Sequence, residues 1–221
     1  MVLNSKMLLS TSRANTNNKP RVAILLAAFN GIDWIEEQIN SILNQEDVNI
    51  EIFISVDLSI DGTYELCKSL EKKNKSVIIL PYGNRFGNAA KNFFRLIRDT
   101  DMKKYNYIAF SDQDDIWNKK KIYRAVSQMN KYKYDAYSSD FIAFWSGGKE
   151  KYIKKSWPQK KYDYFFESAG PGCTYVFKTE ALEKFKFFLI SNWVLVNKVS
   201  LHDWIIYAYF RNHKFNWKID S

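Results

Sequence analysis

Four short apolar runs alternate with four amphipathic segments, and this order leaves few folds open to the chain. The runs are RVAILLAAF (21–29), IEIFISV (50–56), SVIILP (76–81) and YNYIAFS (105–111). The segments between and after them are IDWIEEQINSIL, GTYELCKSLEKK, AAKNFFRLIRD and NKKKIYRAVSQMNKY, with apolar residues at helical spacing. The first run is continuous, as in a strand covered on both faces. Strand–helix alternation of this kind implies a mostly parallel sheet with right-handed crossovers. The expected fold class is therefore α/β, a mostly parallel sheet flanked by helices. Beyond Asp135 the order loosens. DAYSSDFIAFW and CTYVFK read as strands, TEALEKFKFFL as a helix with Thr179 as N-cap, and LHDWIIYAYF as a helix in preference to a strand.

In open α/β sheets, ligands bind beyond the carboxyl ends of the strands. Polar clusters fall at three such ends: NG after the first run, DLSIDG after the second and DQDD after the fourth. Asp112 and Asp114 are two apart, so an extended segment points both carboxylates to one side, as a hard divalent cation requires. Alone, the pair equally fits the dipole of a helix starting near Trp117. The convergence of three strand ends favours the cation, with Asp115 left as a helix cap. Asp57 is assigned to a ligand and Asp61 to the turn that Gly62 completes.

The charge balance limits the partners. Lys and Arg number 33 against 24 Asp and Glu, a net +9. The excess suits solubility, a phosphate-rich substrate or an anionic membrane surface. A nucleic-acid role is disfavoured, because carboxylates at the strand ends repel phosphates unless a cation intervenes. Lys6, Arg13 and Lys19 lie in residues 1–20, which hold no acid and read as a flexible leader. The stretch KEKYIKKSWPQKKY (149–162) interleaves lysines with aromatics and suits a lipid headgroup layer or a solvated loop. No apolar run reaches the ~18 residues of a membrane span. Cys67 and Cys173 make no disulfide framework or metal spacing, which suits a reducing cytoplasm. Cys67 reads as a buried helix cysteine.

Taken in order, LLAAFNG, EQINSILNQ, VDLSIDGT, FGNAAKNF, SDQDDIW, GPGCTYVFK and HDW resemble family 2 glycosyltransferases of the GT-A fold. The likeness covers about residues 21–215 and is closest to rhamnosyltransferase-type enzymes that build bacterial cell-surface polysaccharides. It implies inverting transfer of a sugar, with rhamnose as the favoured candidate, from a nucleotide-diphosphate donor. The implied acceptor is a saccharide or lipid-linked, at the cytoplasmic face of the membrane. It further implies that Ala27, Phe29 and Asp57 contact the nucleotide, with Gly87 and Lys91 beside it. Asp112 and Asp114 would hold Mg²⁺ or Mn²⁺, Asp114 as the favoured direct ligand. Asp203 falls at the general base, in apolar surroundings supplied by Leu201 and Trp204 that would raise its pKa. Gly172, Cys173, Thr174 and Trp204 fall on the acceptor side. His202 is open between assisting the diphosphate and packing. Two departures stand out. Val56 replaces the first acid of the base-binding pair, and similar proteins continue past HKFNWKIDS into a further strand and a segment closing the donor site. The domain expected over 21–221 is thus shortened at its C-terminus, and a catalytically silent nucleotide-sugar- or partner-binding domain is the alternative.

Overall fold

A computed structural model describes residues 19–221. The leader expectation therefore lies outside the described residues, apart from its last two positions. Lys19 pairs with Asp47 at 3.7 Å, and the Pro20 carbonyl accepts from the Asn49 amide.

The expected alternation is present. In chain order it runs β1 (Arg21–Ala28), α1 (Ile35–Leu43), β2 (Asn49–Val56), α2 (Thr63–Lys73), β3 (Val77–Ile79), α3 (Ala89–Asp99), β4 (Tyr107–Ser111) and α4 (Lys121–Tyr132). These strands pair in parallel in the spatial order β3–β2–β1–β4. β1 is central, and its side chains divide by parity, as the pleat dictates. Ala23, Leu25 and Ala27 join Phe93, Phe94 and Ile97 of α3 on one face. Val22, Ile24, Leu26 and Ala28 meet Ile35, Ile39, Cys67, Leu70 and Ile122 on the other. Burial on both faces is why the run is apolar at every position from Val22 to Ala28. Cys67 is buried as expected, and burial pushes its thiol up to about 12.

The second half holds β5 (Ala136–Ser139), β6 (Phe141–Phe144), β7 (Glu150–Ile153), β8 (Val176–Lys178), α5 (Thr179–Ser191), α6 (Trp193–Val196), α7 (His202–Asn212) and β9 (Trp217–Asp220). β8 inserts antiparallel between β4 and β5, and β9 runs parallel to β5 at the edge.

Two sequence expectations change here, and one strand appears where none was expected. DAYSSDFIAFW is two strands: β5 belongs to the main sheet and β6 pairs with β7 in a separate hairpin. Asp140 breaks the run, because its carboxylate binds Tyr152, the Lys155 amide and both the amide and hydroxyl of Ser156. Thr179 is the first helical residue of α5 and not its cap. Lys178 holds the cap position, and the Thr179 hydroxyl is buried without a partner. The added strand is β9 (Trp217–Asp220), and the alternation of Trp217 and Ile219 behind Phe215 was the available signal.

Candidate active site

At the carboxyl ends of β1, β2 and β4 lies a cleft of about 540 Å³, lined by Ala27, Ala28, Phe29, Asp57, Arg85, Gly87, Asn88, Ala89, Asn92, Asp112, Gln113 and Asp114. It gathers the three strand ends that the sequence marked. Phe29 is half exposed there, while Ala27 forms a nearly buried floor.

Gln113 builds one wall. Its amide accepts from Phe29 N at 2.8 Å and donates to Phe29 O at 2.9 Å, extending the β1–β4 pairing by one side chain. Gly31 sits against that amide, and a Cβ there would collide with it. Asp61 does serve the turn: it accepts from the Thr63 amide and hydroxyl and from Ile32 N.

Asp57 is buried in the opposite wall, and both carboxylate oxygens are engaged. Oδ1 accepts from Leu58 N and Phe86 N, each at 2.7 Å, and Oδ2 from Gly87 N at 2.8 Å. In this structure it pins the loop after β3 to the end of β2. Gly87 has φ of +83°, a conformation L side chains rarely adopt, which lets the chain turn into α3. Asn88 then caps α3 by accepting from Lys91 N. Lys91 is not among the lining residues; Arg85 brings the cation to this side. Its position in the turn-rich GNRFGN was the only signal for it. Beneath the floor, the Asn92 amide donates to Ala28 O and Ser55 O, and Arg95 donates to Ser55 Oγ, supporting the strand ends with satisfied polar contacts.

Asp112 and Asp114 both line the cleft, Asp112 partly buried and Asp114 exposed. Burial, then the nearby Asp115, Asp114 and Asp203, push the Asp112 carboxyl up to about 7, with Lys121 opposing. Asp115 is not a helix cap, since α4 begins at Lys121. It clusters with Asp112 and the Cys173 thiol, their ligand atoms all within 4.8 Å of one another, and its Oδ2 is buried without a partner. Lys121 closes this corner: its Nζ donates to Cys173 O at 2.6 Å and lies 3.5 Å from the centre of the Trp117 ring.

This donor set suits a hard cation. Asp112 and Asp114 offer oxygen ligands to the cleft, and Lys121 is the cation set against the carboxylates of Asp112 and Asp115. The Cys173 thiol does not suit one, because burial first, and then Asp115 and Asp112, hold it well above its ordinary pKa.

Asp203 stands in the first turn of α7, part-buried, with its Oδ1 accepting from Trp204 N at 2.8 Å. Burial raises its pKa. Trp204 is anchored through its indole N–H to Tyr164 O, whereas Leu201 is half exposed and shields the carboxylate little. His202 packs: it is buried, stacks on Phe93 at 4.0 Å between ring centres, and burial lowers its pKa to about 3. Gly172, Cys173 and Thr174 form a 3₁₀ turn before β8. Gly172 lies directly against the His202 ring, and Thr174 closes the turn by donating to Pro171 O.

A model of glycosyl transferase family 2 matches residues 23–188. The chain is 48% identical over 196 residues to the dTDP-rhamnosyl transferase RfbG of Shigella flexneri, covering 88% of this chain and 68% of that protein. Its fold resembles S. aureus TarS in complex with UDP, with a TM-score of 0.66 at 15% identity, over 90% of this chain and 57% of that one. It also resembles the mannosyltransferase PcManGT from Pyrobaculum calidifontis in complex with GDP-Man and Mn²⁺, with a TM-score of 0.64 at 16% identity, over 92% and 55% respectively. The mostly parallel sheet with helices on both faces is the GT-A fold, and the chain belongs to glycosyl transferase family 2.

Proposed function

We propose that this chain transfers a sugar, rhamnose in the favoured reading, from a nucleotide-diphosphate donor to a saccharide or lipid-linked acceptor with inversion. The observation that carries this is the cleft at the strand ends, lined together by Asp112, Asp114 and Arg85. Rhamnose as the sugar draws on the likeness to the Shigella protein.

Ala27 and Phe29 form the surface for the nucleotide base. Asp57 serves the donor by holding the loop that carries Arg85 and Gly87. Asp112 and Asp114 would hold Mg²⁺ or Mn²⁺, which supplies neutralisation of the leaving diphosphate. Arg85 adds a second positive charge on that side. Asp203, its basicity raised by burial, accepts the proton of the acceptor hydroxyl as the new glycosidic C–O bond forms and the bond to diphosphate breaks. Trp204, fixed by Tyr164, presents an aromatic surface to the acceptor sugar, beside the Gly172–Thr174 turn. The lysine–aromatic stretch 149–162, in which Lys154 lies 4.2 Å over the Trp157 ring, suits peripheral contact with the inner face of the membrane.

A thermal-shift series with nucleotide diphosphates and their sugars, with and without Mn²⁺, tests the donor site. A ligand at a hundred times its Kd stabilises the folded state by about 2.7 kcal/mol. The selective shift should require Mn²⁺, and Asp114→Asn should lose that part of it. Equal donor affinity in EDTA and Mn²⁺ would refute the metal-assisted reading.

A further inference from the structure

Asp203, Tyr207 and Arg211 follow one another at every fourth position of α7, so their side chains share one helix face. The segment 155–168 lies over that face and leaves a cavity of about 430 Å³, which shares no lining residue with the donor cleft. Trp157 and Phe166 stand at its rim, 60% and 80% exposed, while Tyr207 is buried at its base.

Polar contacts hold these walls in place. The Asp140 carboxylate accepts from the amides of Lys155 and Ser156 where the segment begins. Farther along, Arg211 donates to both oxygens of Asp163, at 2.9 and 3.0 Å, and to Lys160 O and the Tyr207 hydroxyl. That hydroxyl donates in turn to Asp163 Oδ2 at 3.1 Å, and the Trp204 indole ties Tyr164 O to the same helix.

Asp203 stands between this cavity and the donor cleft. On the cleft side its charge adds to the burial that raises Asp112. On the other side, burial of Asp203 is opposed by Ser168 and Lys155, which both line the cavity and favour the charged carboxylate. Tyr207 lies one turn beyond Asp203, about 6 Å along the helix at 1.5 Å per residue.

The chemistry of the lining narrows the ligand. Lys155 and Lys160 stand against Asp163 and Glu167, so the lining is neutral in sum. Lys155 pairs with Glu167 at 3.0 Å and Asp163 with Arg211 at 2.9 Å, which leaves little charge for an anion to meet. What remains is aromatic surface beside fixed polar groups. A pyranose matches both, because the C–H bonds of one sugar face meet the negative face of an aromatic ring while its hydroxyls hydrogen-bond at the edge.

We propose that the cavity walled by Trp157, Phe166 and Tyr207 seats an uncharged pyranose of the acceptor, beside Asp203. This deepens the proposed transfer and rests on its saccharide acceptor, free or carried on a lipid. One helix then carries both the base and the floor of the sugar site, which fixes the spacing between them.

The test is saturation-transfer NMR on the full chain with the methyl glycosides of rhamnose, glucose, galactose and N-acetylglucosamine, and with methyl glucuronide as the anionic counterpart. At least one uncharged glycoside should bind, with transfer strongest to the protons of one ring face, and more tightly than the glucuronide. Its octyl glycoside should bind too; equal affinity marks a free saccharide and tighter binding a lipid-carried one. Trp157→Ala with Phe166→Ala should weaken binding roughly tenfold or more, and Trp157→Phe, which keeps an aromatic face, should weaken it less. Both side chains are largely exposed, so melting by circular dichroism should stay at the parent value. The proposal is overturned if no uncharged glycoside binds at millimolar concentration, if the folded double variant binds like the parent, or if the glucuronide binds more tightly. The donor thermal shift with Mn²⁺ is read in parallel and should survive the double substitution. A failed donor shift with intact glycoside binding counts against the transfer reading alone, and an intact donor shift without glycoside binding counts against this cavity alone.

Discussion

Asp57→Asn should free the loop after β3 while leaving the sheet intact. Three backbone amides converge on this buried carboxylate, two on Oδ1 and one on Oδ2. Asparagine keeps one accepting oxygen but turns an N–H toward Gly87 N, so one bond becomes a donor–donor contact and two lose charge assistance. Hydrogen bonds to charged groups contribute about 1.5–3 kcal/mol each, and the net loss on substitution is about 2–3 kcal/mol. The loss should be local. Residues 80–88 contain no helix or strand, and the Asp57 amide keeps its own bond to Ala28 O. Hydrogen exchange followed residue by residue should therefore speed up roughly 30- to 150-fold at Phe86 and Gly87, since each 1.4 kcal/mol is a factor of ten. Amides of β1 and β4 should keep the parent protection. Donor affinity should weaken by no more than the same factor, because binding must re-close the loop. Unchanged exchange at Phe86 and Gly87 would show that Asp57 does not hold the loop. A uniform rise across the sheet would show that the carboxylate supports the whole domain.

Further predictions concern α7 and the turn before β8. His202 has its folded-state pKa lowered by burial to about 3, so between about 6.5 and 3 the unfolded chain binds the extra proton. Stability contributed in this way is fully present above pH 6.5 and is lost on acidification, by about 1.4 kcal/mol per pH unit. His202→Gln should flatten the urea-derived stability profile between pH 6.5 and 5 by that slope, and a parallel profile would refute the assignment. Asp203→Asn should cut turnover by ~10²–10⁴-fold with the donor thermal shift retained; near-parental turnover would place the base elsewhere. Gly172→Ala should destabilise by about 1–3 kcal/mol in urea melts, because the added methyl meets a ring already held against Phe93. A neutral result would mean that His202 can move aside.

Local signals carried most of the architecture. The unbroken apolar run of β1 reports burial on both faces, and Ile35, Ile39 and Ile42 report the inner face of α1, because periodicity expresses which side of an element meets the core. The strand-end polar clusters located the cleft for the same reason: a parallel α/β sheet delivers its strand ends to one edge. Other features depend on residues distant in the chain. Asp57 has no oxygen left over only because Phe86 and Gly87 fold back onto it. Asp115 is removed from the helix start by the later placement of α4 and is set against Cys173, which arrives with the turn before β8. Arg85 enters the cleft from a loop that has no periodicity to read, and β8 runs against its neighbours although its own residues do not encode direction. The exposure of Phe187 and Ile190 on α5 was equally illegible, since both look like core residues by type. Periodicity and turn chemistry act between neighbours in sequence and are visible there. Hydrogen-bond saturation, charge crowding and exposure arise between segments, and those segments meet only once the sheet has assembled.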